Sequence, residues 1–180
     1  MGQISPLSMP FTPFHLGPAL VFGLLLRRKL HVPTMLVASV AVDIEPLLVI
    51  VLRLDYPLHG YLHTLLAAGL YGLLLGWIMA GLEGVFGPLY RVLHLEESAP
   101  TGRKPFLLAG VAGTASHVLL DSPLYSDIQP FYPLGGNSLF NPSLTFEIYA
   151  FCAMSFGVAA LLYLPPCVLC SKPWKRLRSS

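Results

Sequence analysis

The chain has 180 residues, 54% of them hydrophobic and only 11% charged, with a mean hydropathy of +0.67 and a formal net charge of +2. Soluble domains carry roughly 25% charged residues, and one of about 150 residues still exposes roughly 30% of its chain surface. The composition therefore excludes an ordinary water-soluble domain, and so weak a net charge gives no reason to expect a nucleic-acid partner.

The opening MGQISPLSMPFTPF lacks the basic region and small-residue cleavage site of a secretory signal. Pro6 stands where a myristoylation pattern starting at Gly2 needs Ser or Thr. A bilayer core of about 30 Å takes roughly 20 apolar residues in a helix. By that measure, spans are expected at about 12–30 (with a short apolar stretch, 12–26), 32–54, 59–82, 104–123 and 145–170. Asp43 and Glu45 interrupt the second span, and Pro46 beside them predicts a kink or break. Residues 83–103 carry Glu83, Arg91, Glu96 and Glu97 among aromatics and read as an interfacial helix followed by a polar turn. Residues 124–144, rich in Pro, Gly and aromatics, read as a loop able to act as a lid. With no internal repeat, the expectation is one integral membrane domain over 1–180. Its fold class is all-α: a polytopic transmembrane helical bundle of about five spans plus a short interfacial helix.

Cys152, Cys167 and Cys170 all fall in or just beyond the last apolar segment. Cys167 and Cys170 have CxxC spacing, but they follow Leu-Pro-Pro in an apolar run with no second pair. They read as residues of the membrane interface. His31 and His94 read as amphipathic surface residues.

Lys and Arg collect in cytoplasmic loops. Five alternating spans put Arg27, Arg28, Lys29, Arg91, Arg103, Lys104, Lys172, Lys175, Arg176 and Arg178 on one side, leaving Arg53 on the other. The chain is thus expected in the cell (inner or plasma) membrane, multi-pass, with its N-terminus outside and its C-terminus cytoplasmic. The tail KPWKRLRSS reads as a cytoplasmic anchor with affinity for lipid headgroups.

On this topology His15 opens span one and His59 and His63 open span three, all outside. His117 and Asp121 close span four outside, and Asp43 and Glu45 lie midway along the outward-running span two. Charges within membranes are costly and persist where they pair, bind ions or do chemistry. His59/His63 and His117/Asp121 are i,i+4 pairs, about 5–6 Å apart at Cβ on a helix, a separation suited to a shared metal. The mixed imidazole–carboxylate set suits Zn²⁺, Mn²⁺ or Fe²⁺. Interhelical hydrogen bonding is the plain alternative for the histidines and Asp121, and a buried proton or cation relay for Asp43 and Glu45. Glu147 reads as a helix N-terminal charge, and Asp127 and Asn137 as polar substrate contacts on the outer loop.

In order, a His, an acidic pair, H-x-x-x-H with a following Thr, and H-x-x-x-D resemble the membrane-bound metal-dependent hydrolase family, the LexA-binding, inner-membrane-associated hydrolases. The matching stretches are TPFHLGPA, VDIEP, HGYLHT and SHVLLDSPLYSDIQPFYPL, across roughly residues 12 to 142. The departures are Glu45 in place of a second Asp, a Pro after rather than before the acidic pair, and Gly60 in place of an Arg. The resemblance implies His15, Asp43, Glu45, His59, His63, His117 and Asp121 as metal ligands. Seven ligands exceed one tetrahedral site, so two ions are expected, with zinc preferred. The expected activity is hydrolysis of a phosphoester or lipid-like, amphipathic substrate, with His117 or Asp121 as the base. The alternative is a metal-ion or proton-coupled transporter using the same residues.

Overall fold

The computed structural model describes residues 13–93, 95 and 102–171, with side chains of the last helix as far as Leu164. The N-terminal segment 1–12, His94, Glu96, Glu97, the Cys167 and Cys170 side chains and the basic tail lie outside the described residues. Among the described residues all regular structure is helical: α1 (Leu16–Leu25), α2 (Val32–Ala41), α3 (Ile44–Val51), α4 (Leu65–Val92), α5 (Lys104–Asp121) and α6 (Thr145–Ser171), with short 3-10 turns at Pro13–His15, Tyr61–His63 and Pro142–Leu144. This is a helical membrane protein. Val32–Val51, Leu65–Val92 and Pro142–Leu164 are long and apolar enough to cross a bilayer, whereas Pro13–Leu25 is a shorter apolar helix.

The break in the second span falls at Val42–Asp43, between α2 and α3. Pro46 lacks the N–H that would bond the carbonyl of Val42, and the Glu45 N–H takes that carbonyl instead, at 3.2 Å. Asp43 occupies the N-cap position of α3 but makes no capping bond with its side chain; its carboxylate turns inward to meet His117. Beyond α3, Arg53 adopts φ 50°. The Leu54 N–H reaches back to Val49 O and the Arg53 N–H to Ile50 O, closing a Schellman turn that hands the chain to residues 55–64.

Two expectations are corrected. The third helix begins at Leu65, not at 59, because Thr64 is extended and caps it, its hydroxyl accepting from the Ala67 N–H at 3.1 Å. The helix then continues through Pro88 to Val92, so the separate interfacial helix expected from 83 is the far end of α4. At 28 residues it is about 42 Å long, longer than a hydrocarbon core of about 30 Å.

The least lipid-like helix, α5, stands at the centre between α2 and α4. Gly72 and Gly76 of α4, spaced GxxxG, meet the backbone of α5. A Cβ on Gly72 would come within 2.6 Å of Gly110 O, and one on Gly76 within 2.5 Å of Phe106 O. On the opposite face, a Cβ on Gly113 would lie 2.7 Å from Met35 O of α2. Such small-residue contacts let membrane helices approach backbone to backbone. Thr114 donates across to Ala68 O at 2.8 Å. Ala38, Ala68, Ala109, Thr114 and Val118 are wholly buried, while Leu66, Leu70, Trp77, Phe146 and Leu161 point outward and stay largely exposed. That outward apolar skin is the surface lipid covers.

At the end away from the loop 122–144, His31 departs from its expected surface role. It is buried, accepts the Thr34 N–H at Nδ1 (3.3 Å), stacks on Phe106 and sets Nε2 3.3 Å from Glu83. Burial pushes its imidazole down to about 4. The neutral ring therefore works as a helix cap and a clasp between α2, α4 and α5.

Gly110→Val should lower the melting temperature in detergent, as overpacking costs about 1–3 kcal/mol. Gly81→Ala, whose Cβ meets nothing within 4 Å, should leave it unchanged.

Candidate metal centre

Helix directions bring the ionisable residues to one end of the bundle. The α2 and α5 helices run parallel, since His31 N–H meets Pro105 O at their starts and Ser39 O meets His117 near their ends. The α4 helix runs antiparallel to α5, pairing Gly76 with Phe106 and Ala68 with Thr114. The end of α2, the turn before α4 and the end of α5 therefore converge.

Four buried residues form the cluster: Asp43, His63, His117 and Asp121, each offering one donor atom, all within 4.8 Å of one another. A tetrahedral ion with bonds of about 2.0–2.1 Å holds its ligand atoms roughly 3.3 Å apart. His117 Nε2 lies 3.3 Å from Asp43 Oδ1 and 3.3 Å from Asp121 Oδ2. Its ring is oriented from behind, because Nδ1 lies 2.7 Å from Ser39 O. A carbonyl can only accept, so Nδ1 carries a proton, and Nε2 is the nitrogen that meets the two carboxylates: a donor to them when protonated, a ligand when a cation takes that proton's place. Likewise His63 Nδ1 lies 3.0 Å from Glu45 Oε2, which leaves Nε2 as the acceptor. His63 Nε2 is buried without a hydrogen-bond partner. Two imidazole nitrogens and two carboxylates closing on one point are an N₂O₂ donor set that could hold a divalent cation, of the kind zinc, manganese and ferrous iron accept.

The other candidates stand around this cluster rather than in it. His15 Nε2 lies 3.0 Å from Asp121 Oδ1, and its ring is 4.3 Å from that of His117. Glu45, expected as a ligand, accepts from the Gly60 N–H (3.0 Å), the Leu62 N–H (3.1 Å) and the Tyr56 hydroxyl (3.3 Å) besides His63. Its carboxylate builds the 59–64 turn and aims His63. A carboxylate in this place fixes ring orientation and raises ligand basicity. His59 and His63 do not share a helix face as the i,i+4 spacing suggested, since one precedes and the other ends a 3-10 turn. Their rings nevertheless meet at 4.7 Å.

Asp127 reaches 68 residues back to His59, receiving its backbone N–H at 3.2 Å and its Nδ1–H at 3.0 Å. Burial alone would raise the Asp127 carboxyl, but the hydrogen bonds and charge of His59 hold it below its usual range. Asn137 is occupied with the loop itself, donating to Ser122 O (2.6 Å) and Tyr125 O (2.9 Å) and accepting from the Leu139 N–H (3.0 Å). These bonds brace the loop. Glu147 lies exposed in the first turn of α6.

Sequence reasoning missed Ser39, whose contribution is a carbonyl, and Tyr56. The Tyr56 ring covers Gly60 so closely that a Cβ there would collide with it. Its hydroxyl links Glu45 to the Tyr61 N–H. This gives a steric reason for glycine at the position where the resembling family carries Arg.

The family model for YdjM inner membrane proteins matches residues 9–176. No curated protein and no solved structure matches the chain.

Alanine at Asp43, His63, His117 or Asp121 should reduce bound metal to near zero in elemental analysis of purified protein. Glu45→Gln should weaken metal affinity about 10–100-fold, and Asn137→Ala should leave metal content unchanged.

Proposed function

This chain belongs to the YdjM inner membrane protein family, and on that premise we propose that it is a membrane-embedded, metal-dependent hydrolase of a phosphoester or lipid-like substrate. The reading rests on one observation above all: His63 Nε2, buried and unpartnered, and His117 Nε2 converge with Asp43 and Asp121 on one point. In this reading the four residues would hold one divalent ion. The donor set is complete for a single ion without His15, Glu45 and His59, so one ion replaces the two expected from counting ligands. Bound there, the ion supplies Lewis acidity and lowers the pKa of water toward neutrality.

The chain's own groups supply the rest. Glu45 and the Ser39 carbonyl hold the imidazoles in the ligating tautomer. With an ion bound, His117 would have no nitrogen left for proton transfer, because one faces Ser39 and the other would be a ligand, and Asp121 is held by His15. His15 donates from Nε2 to Asp121 and keeps Nδ1 buried without a partner. The role of general base therefore passes to His15 Nδ1 rather than to His117 or Asp121.

The transporter alternative needs a polar route to the other face. Buried Met35, Ala38 and Ala109, between the cluster and the His31–Glu83 clasp, weigh against such a route. Outward placement of the cluster follows from the distribution of basic residues: Arg27, Arg28, Lys29, Arg91, Arg103 and Lys104 flank the opposite ends of α1, α4 and α5.

Detergent-purified protein should hydrolyse a member of a lipid phosphomonoester and phosphodiester panel, lose turnover on chelation and regain it with zinc or manganese. His15→Gln should keep its metal and lose about 10²–10⁴-fold in kcat. Metal flux into proteoliposomes without turnover on any ester would replace the hydrolase reading with the transporter.

A further inference from the structure

Beside the cluster, His59 forms part of the wall of an open cavity of about 320 Å³. Tyr56, Tyr61 and Tyr132 line it as well, with Asp127, Gln129 and Thr64. The three tyrosines are set at angles to one another: Tyr61 is tilted 50° to Tyr56 at 6.4 Å and stands edge-on, at 72°, to Tyr132 at 5.4 Å. Two of the rings are anchored through their backbone or hydroxyl, since the Tyr56 hydroxyl accepts the Tyr61 N–H at 3.0 Å and meets Glu45. Among the described residues lining the cavity there is no Lys or Arg, and Asp127 is the one acidic group, its side chain 41% exposed. The His59 ring leads inward to the cluster, 4.7 Å from His63.

These features exclude one kind of occupant and favour another. An anion in this cavity would face the Asp127 carboxylate and tyrosine rings, with His59, already hydrogen-bonded to Asp127, as the one basic side chain in the wall. A cation would find both attractive, because aromatic faces draw ammonium groups within about 6 Å of their centroids and a carboxylate adds charge pairing. We propose that this cavity binds the ammonium end of a zwitterionic phosphoester, placing its phosphate toward the histidine cluster. This deepens the hydrolase reading and rests on it for the direction of the phosphate; the recognition of the ammonium stands by itself. The ligand chemistry is a primary or quaternary ammonium a few bonds from a phosphoester, whether on a lipid headgroup or on a free headgroup compound.

The test measures binding to chelator-treated protein in detergent, so that it does not depend on turnover. Phosphoethanolamine and glycerol 3-phosphate are compared by calorimetry, and phosphatidylethanolamine and phosphatidylglycerol by native mass spectrometry. The ammonium-bearing member of either pair should bind roughly tenfold tighter. A preference seen in the soluble pair alone identifies a free headgroup compound, and one seen in the lipids identifies a lipid. Tyr132→Leu and Tyr61→Leu should each erase the preference without changing metal content, whereas Tyr132→Phe, which keeps the ring, should retain it. Equal or tighter binding of the glycerol compounds, or a preference untouched by both leucine variants, overturns the proposal. Ammonium preference without hydrolysis overturns the enzyme reading alone; hydrolysis with no ammonium preference overturns this proposal alone.

Discussion

Two carboxylates buried in the interior of a membrane protein set the terms for everything around them. Asp43 and Asp121 are each 2% exposed, in surroundings where an uncompensated charge is among the costliest things a fold can carry. Their presence demands compensation, and the surrounding histidines converge on them. Two imidazoles are held in fixed tautomers, a third histidine is hydrogen-bonded to Asp121, and a fourth is tied to a loop aspartate. Removing either carboxylate would leave this ring of histidines without a centre.

The helical framework serves that constraint by bringing polar ends together and keeping the middle dry. Glycines at the α4–α5 and α2–α5 crossings draw three backbones close. His117 can therefore reach the Ser39 carbonyl across a helix boundary, and Thr114 the Ala68 carbonyl. The break at Val42–Asp43 does the complementary work. An unbroken helix would commit the Asp43 backbone to the ladder and set Asp43 and Glu45 about 200° apart. With the break, Asp43 enters the cluster and Glu45 supports it through His63.

Much of this was legible in the sequence, and the illegible part has common causes. The membrane character, the gathering of His15, Asp43, His59, His63, His117 and Asp121 at one end, and the interruption at the acidic pair all follow from local chemistry and helix alternation. The geometry of HGYLHT does not. Spacing alone reads it as a helix, whereas Thr64 capping and the Tyr56 ring over Gly60 turn it into a 3-10 loop. Residue type could not tell that the Glu45 carboxylate would be taken up by the 59–64 turn and His63. His31 looked superficial because its partner Glu83 is 52 residues away in sequence. The central role of α5 was written in Ala109, Gly110, Gly113 and Thr114, a small-residue stripe that hydropathy scores only as mildly apolar.

The parallel course of α2 and α5 has an electrostatic result that belongs to no side chain. Both helices end at the cluster, α2 just before Asp43 and α5 at Asp121. Each delivers the negative end of its peptide dipoles there, equivalent to roughly half an electron charge apiece. The N-termini of α1, α3 and α4 open at the same end with the opposite sign, so the backbone field there is a near balance, and the side chains at the cluster decide which way it tips.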